Sequence, residues 1–204
     1  MEKQNYEKLK KEIQGLNKQS GETRVETLEL LEGFILKKHG EEGLKKMKKT
    51  LTKLGIDYQS YREKRKTEWM PKHTAIAIWL TAIYLFNWSK KDIFEMGRTS
   101  ISYSSTARIF LKYFLSIKRT IRHATTNWKK YYTQGDMEIK KLDPQKKTGK
   151  LVLKNFPSHP IECAFIKGLI TRVLELGAYS NKVEVEEVKC PNRGDELHEF
   201  KINW

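Results

Sequence analysis

Cysteine is nearly absent from this chain of 204 residues: only Cys163 and Cys190 occur. Two cysteines cannot build the disulfide framework of a small secreted scaffold. They leave three readings open: inert buried thiols, a metal site or a nucleophile. Long apolar runs are missing too. No stretch of eighteen apolar residues exists, which excludes a transmembrane helix of ordinary length. The most apolar segment, 74–86, is too short to span a bilayer and reads as a buried helix. The N-terminal residues are charged rather than apolar, so a cytoplasmic protein is expected. Internal repeats and low-complexity tracts are lacking. So are the Gly-x-Ser-x-Gly elbow, a phosphate-binding glycine loop and His-Glu-x-x-His, which removes the commonest hydrolase, nucleotide-binding and metalloprotease signatures.

Acidic residues are comparatively few. Against 25 Asp and Glu stand 40 Lys and Arg, a net charge of +15. The excess is uneven: residues 71–150 carry 16 basic and 5 acidic side chains, whereas residues 151–204 carry 7 and 8. Such a surface can attract nucleic acid or an acidic partner, but lysines spread over many helices also serve simply as a solvated face.

What is present is first helical and then mixed. Val25, Leu28, Leu31 and Ile35 recur at helical spacing within 22–38, stopped by Gly40. Leu44, Met47, Leu51 and Leu54 repeat the pattern up to Gly55, and the two segments are expected to pair as an antiparallel helical hairpin. The charged stretch 62–71, ending in proline, reads as a joint. A helix over 73–86 follows. Ser89 and Asp92 stand at capping-box spacing before another helix, which Gly97 interrupts and Ser104 or Ser105 restarts. After Gly135 the period changes to two: Met137 and Ile139, a turn over 143–149, then Leu151 and Leu153, make a β-hairpin. A helix from Pro160 to Gly177, a third strand with Val183 and Val185, a turn over 191–195 and a fourth strand to Trp204 complete the order. The fold class is α+β. A helical N-terminal half packs on a four-stranded antiparallel sheet with β-β-α-β-β order at the C-terminal end. The expected division is a helical segment over 1–65 and a ligand-binding domain over 66–204.

The chemistry concentrates late in the chain. Cys163 lies near the start of the last helix, Glu186 and Glu187 on the third strand, Cys190 at its end, and His198 on the returning strand. Thiolate, imidazole and carboxylate are ligands that zinc prefers, and four of them close a tetrahedral structural site. Alternatively both cysteines are inert core thiols. Residues three apart on a regular strand face opposite sides, so Glu187 joins Cys190 only if the strand bulges or ends between them; Glu186 has the better parity. A Cys190–His198 nucleophile is the best enzyme candidate, but the second cysteine and the glutamate add nothing to that chemistry.

The run Cys163-Ala-Phe-Ile-Lys-Gly-Leu, with Leu176-Gly177, Glu187-Val-Lys-Cys190 and Arg193-Gly-Asp-Glu-Leu-His198-Glu-Phe200, resembles the end of a 4-vinyl reductase domain. This family is related to sensor domains of aromatic-responsive activators and, in fold, to small TRAPP subunits and more remotely to haem-based nitric oxide sensors. The resemblance implies a structural zinc on Cys163, Glu187, Cys190 and His198, with His replacing Cys in the last place and Glu186 as the alternative carboxylate. It also implies a pocket for a small hydrophobic molecule, for which Trp79, Tyr84, Phe110, Tyr113, Phe114, Trp128 and Phe165 are the aromatic candidates; each could equally be plain core. His73 and His123 could bind haem iron in principle, but a lone histidine is more often exposed or hydrogen-bonded. The expected function is a non-catalytic sensory or regulatory domain, with a homodimer or signalling partner implied by the same analogy. The alternative is a basic adaptor for nucleic acid or an acidic protein.

Overall fold

The computed structural model describes residues 3–18, 20–103, 117–178, 180 and 182–204. The chain forms two compact units, Met1–Asp92 and Ile93–Trp204.

The first unit is built around an apolar helix. Its helices are α1 (Lys3–Gln14), α2 (Thr27–Lys53), α3 (Tyr58–Glu63) and α4 (Lys72–Phe86), with two short strands, β1 (Glu22–Arg24) and β2 (Trp69–Pro71). Helix α4 is buried along most of its length, Ile76, Ile78, Leu80 and Ala82 included. It packs against α1 and α2, whose buried faces supply Leu9, Leu28, Leu31, Ile35, Met47 and Leu51. Periodicity located α2 and α4 but not the start of α2, and it missed α3. Residues 22–24, expected as helix, pair antiparallel with residues 69–71, and the Arg24 guanidinium lies 3.5 Å from the Trp69 ring centroid. A pairing across some 45 residues leaves no local signature. The two expected helices are both present within α2 and meet directly at Gly40. Gly40, at φ 63°, breaks the helical backbone for a single residue, with no loop between the two segments.

Asp92 accepts hydrogen bonds from the Ser89 backbone N–H at 2.8 Å and the Ser89 hydroxyl at 2.7 Å, and Ser89 Oγ accepts from the Asp92 N–H at 3.3 Å. The capping box read from the sequence is therefore formed, with Asp in place of Glu. Lys38 also donates to Asp92. The Lys38 and Ser89 donors hold the Asp92 carboxyl down at about 2. A carboxyl depressed on folding contributes stability above its unfolded pKa, near 4, and loses it as pH falls through the folded value. Acid titration of the wild type should thus reveal a loss on the order of 1–2 kcal/mol between roughly pH 4 and pH 2. In Asp92→Asn that loss should be missing, and equal acid slopes in the two proteins would refute it.

In the second unit, α5 (Lys90–Tyr103) enters from the boundary, and α6 (Ile117–Tyr131), β3 (Asp136–Asp143), β4 (Thr148–Lys154), α7 (Pro160–Ala178), β5 (Glu184–Lys189) and β6 (His198–Asn203) follow. The sheet order is β3-β4-β6-β5, with every pairing antiparallel. This is the α+β architecture expected, with the β-β-α-β-β order intact. Leu151, Leu153, Val185, Phe200 and Ile202 are buried, and α6 and α7 pack against each other, α6 also on β3 and α7 on β5. Gly97 does not interrupt α5. It lets α5 touch α7: a Cβ there would stand 2.0 Å from the Phe165 carbonyl oxygen, and one at Gly168 would stand 2.0 Å from that of Phe94. The expected restart at Ser104 or Ser105 lies outside the described residues.

A candidate thiol, imidazole and carboxylate centre

Helix α7 opens with Pro160 in its first turn, where a missing N–H costs nothing. Glu162 accepts from the His159 backbone N–H at 2.8 Å, fixing the entry. This sets Cys163 in the first turn of the helix, buried. Strand β5 reaches the same place from the other side. Its register against β6 shifts between Glu187 and Lys189, a β-bulge that inserts one residue and re-aims the side chains. The parity that favoured Glu186 is thereby reversed. Glu187 Oε1 lies 2.8 Å from His198 Nδ1. The strand ends at Cys190, whose backbone N–H donates to Asp195 Oδ2 at 2.8 Å. The turn at Pro191–Arg193 closes through Gly194 at φ 93° and leads back to His198, fully buried at the start of β6.

One ligand-type atom from each of Cys163, Glu187, Cys190 and His198 falls within 4.8 Å of the other three. The two sulfurs are 3.4 Å apart. Among the described residues His198 Nε2 is buried with no hydrogen-bond partner, a costly arrangement for a ring nitrogen unless something else engages it. Burial, the nearby Glu187 carboxylate and the Cys190 sulfur push the Cys163 thiol up to about 12. A thiol shifted in this direction is the opposite of an activated nucleophile.

Sequence reading missed three contributors. Asn192 Nδ2 donates to Ser158 Oγ at 2.9 Å and lies 3.3 Å and 3.8 Å from the Cys163 and Cys190 sulfurs. Arg193 donates to the Glu187 carbonyl at 2.9 Å. Asn192 and Arg193 sit inside the turn between Pro191 and Gly194, where polar residues are ordinary, so only the folded turn distinguishes them.

The aromatic candidates are distributed over both units. Trp79 is buried in α4, and Tyr84 on the same helix donates to Glu12 at 2.6 Å. In the second unit Phe165 is buried on α7. Trp128 stacks on Tyr132 at 4.6 Å between centroids and meets Phe156 edge-on at 5.2 Å. Its indole N–H donates to the Gln134 carbonyl at 3.0 Å. Phe156 also approaches the His198 ring, at 6.2 Å. Phe110, Tyr113 and Phe114 lie outside the described residues.

No protein-family model and no curated protein matches the sequence. Solved structures share its fold. An H-NOX protein from S. oneidensis in the Fe(II)NO ligation state superposes with a TM-score of 0.65 at 13% identity, covering 88% of this chain and 98% of the other. An Fe(II) unliganded H-NOX protein from K. algicida gives 0.61 at 14% identity, with 89% and 95% covered. A structure concerned with haem redox potential and porphyrin distortion gives 0.59 at 13%, with 89% and 99% covered. At such identities the likeness establishes the fold.

Two expectations are corrected by this result. The resemblance to the 4-vinyl reductase family is overturned: no family model matches, and the whole-chain neighbours are H-NOX proteins. Its motif spans only the last helix and hairpin, and a β-α-β-β unit can bring a helix start and a hairpin together in more than one fold. Structural zinc as the cofactor of this fold is overturned as well, because the neighbours are described by haem and Fe(II).

Haem iron in turn needs an axial ligand, most often an imidazole with a free nitrogen facing the porphyrin. Among the described residues the buried imidazole nitrogen without a hydrogen-bond partner is His198 Nε2, and His198 belongs to the cluster with Cys163, Glu187 and Cys190. His39 is stacked on Phe86 at 4.0 Å, and its Nε2 accepts from the Trp88 indole at 3.0 Å. His73 is exposed at the start of α4. His159 Nδ1 accepts from the Ile161 N–H at 3.4 Å. His198 is engaged with Glu187 and lies beside the two sulfurs. The side chain of His123 lies outside the described residues.

Proposed function

We propose that this chain is a non-catalytic sensory domain that binds a small hydrophobic molecule without haem. One observation carries the reading: the chain matches H-NOX proteins over nearly their entire length. The surroundings of two imidazoles support the haem-free form: His39 Nε2 accepts from the Trp88 indole, and His198 sits beside Glu187 and the two sulfurs. Within the second unit, Trp128 and Phe165 are the proposed ligand contacts. The test is native mass spectrometry of the purified protein, followed by thermal-shift titration with the molecule it releases. The expected result is a co-purified apolar adduct whose re-addition raises the melting temperature. Protein of bare chain mass, unshifted by aromatic or acyl compounds, would refute the reading. Titration with haemin should give no saturable Soret band. A band saturating at one haem per chain and lost in His123→Ala would replace the haem-free form of the proposal.

Cys163, Glu187, Cys190 and His198 are proposed to bind a transition-metal ion whose identity metal analysis would give. The support is the convergence of four ligand atoms and the unpartnered Nε2 of His198. Four protein ligands would leave no open position for a substrate, consistent with a fastening role between α7 and the β5–β6 turn. Protein purified without a histidine tag should hold roughly one metal ion per chain, absent from Cys190→Ser and His198→Ala. Metal-free wild-type protein of unchanged stability would reduce the cluster to a buried thiol and imidazole network.

A further inference from the structure

Helix α6 has no acidic residue and five cations: Lys118, Arg119, Arg122, Lys129 and Lys130. All five are exposed, while Thr120, Ile121 and Trp128 on the other side are buried. At about 100° per residue, Lys118, Arg122 and Lys129 fall within roughly 40° of one another, and Arg119 and Lys130 flank them. The stripe from Lys118 to Lys129 is about 16 Å long. Lys129 is paired with Asp136 at 2.9 Å, but Lys118 and Arg122 have no ion-pair partner among the described residues. The charge continues onto the neighbouring hairpin, where Lys141, Lys146 and Lys147 are exposed, as is Lys140, which is paired with Glu138 at 2.8 Å. Across residues 117–154 there are eleven Lys and Arg against three Asp and Glu. The sequence alone disperses these lysines; the fold collects them on one helix and the strand it packs on.

We infer that α6 and the β3–β4 hairpin form a docking face for the phosphate backbone of a nucleic-acid duplex. A straight cationic stripe of this length spans about five phosphates of one strand, given about 3.4 Å of duplex axis per phosphate. A membrane fits less well, because stable interfacial binding of a helix uses apolar groups on the docked face. Among the described residues the large hydrophobic side chain that stands exposed is Leu36, in the other unit. The inference rests on surface charge and is independent of the sensory reading.

Fluorescence anisotropy of short labelled DNA and RNA duplexes of random sequence, titrated with the full chain at rising salt, tests it. Neutralising three to four phosphates gives a log–log salt slope of about −3. Lys118→Glu with Arg122→Glu should lower affinity at least tenfold and flatten the slope by about two. Lys46→Glu with Lys49→Glu on α2, an equal change of charge at exposed positions, should change affinity less than about threefold, as general screening alone allows. Far-UV circular dichroism should show both variants folded. Equal losses in the two variants, no binding at low salt, or binding to phosphatidylserine vesicles without binding to either duplex would each overturn the assignment. Preference for the DNA or the RNA duplex then identifies the source of the phosphates.

Discussion

Gly168→Ala should destabilise the second unit by about 3 kcal/mol or more, a fall of roughly 10–20 °C in melting temperature. The sign makes this informative. In a helix interior Ala is normally favoured over Gly by about 0.5–1 kcal/mol, through backbone entropy. Here the added carbon would stand 2.0 Å from the Phe94 carbonyl oxygen and 2.9 Å from the Arg98 nitrogen. Both are backbone atoms of α5, so no side-chain rotamer relieves the collision and the helices must separate. Gly97→Ala collides in the same way with the Phe165 carbonyl. Since both changes force apart one helix pair, their effects should be non-additive in a double-mutant cycle. Gly15, whose added Cβ would meet nothing within 4 Å, is the control, and Ala there should be neutral or mildly stabilising. Thermal denaturation followed by circular dichroism decides the matter; a Gly168→Ala protein as stable as wild type would mean that α5 and α7 are not in backbone contact. Because α7 carries Cys163, the same variants should also weaken metal retention at the proposed centre.

The second large effect is expected at Glu175. Its carboxylate is buried, yet it receives Arg98 Nε at 3.0 Å, Arg98 Nη2 at 2.9 Å and Arg172 Nη1 at 3.1 Å. Arg98 belongs to α5, and its Nε and Nη2 both meet Glu175 Oε1, so this charge-assisted pair fastens α5 to α7 beside the glycine contact. Removing one member of such a group leaves an under-compensated buried charge, costing on the order of 3 kcal/mol. Arg98→Ala should show that cost in urea denaturation. Glu175→Met removes the buried charge itself and leaves two arginines that are about a third exposed and can turn to water. It should cost clearly less than Arg98→Ala. The reverse order, or two variants within about 0.5 kcal/mol of wild type, would show that water already solvates the carboxylate.

Much of the second unit was legible because its signals are local. Alternation around Met137, Ile139, Leu151 and Leu153 gave the hairpin, proline and glycine bracketed α7, and Pro191 with Gly194 marked the turn that returns His198 toward Cys190. The candidate ligands were legible by residue type. Their family and cofactor were not, because four ligand-type side chains on a helix start and a hairpin do not specify the topology that holds them. The match with H-NOX domains depends on the whole element order and its packing.

The sequence by itself determined the alternation of elements, the charge excess and which side chains could serve as ligands, since these depend on neighbours a few residues away. Tertiary structure decided the rest. A bulge between Glu187 and Lys189 selected Glu187 over Glu186, because side-chain parity along a strand reverses when one residue is inserted. Gly97 read as a helix breaker and proved to be a packing residue, because the reason for its missing Cβ is a carbonyl on α7, 68 residues away in sequence. Strands β1 and β2, and the cationic stripe of α6 beside its hairpin, exist only once the chain is folded. Spatial neighbours far apart in sequence leave no periodic trace from which they could be read.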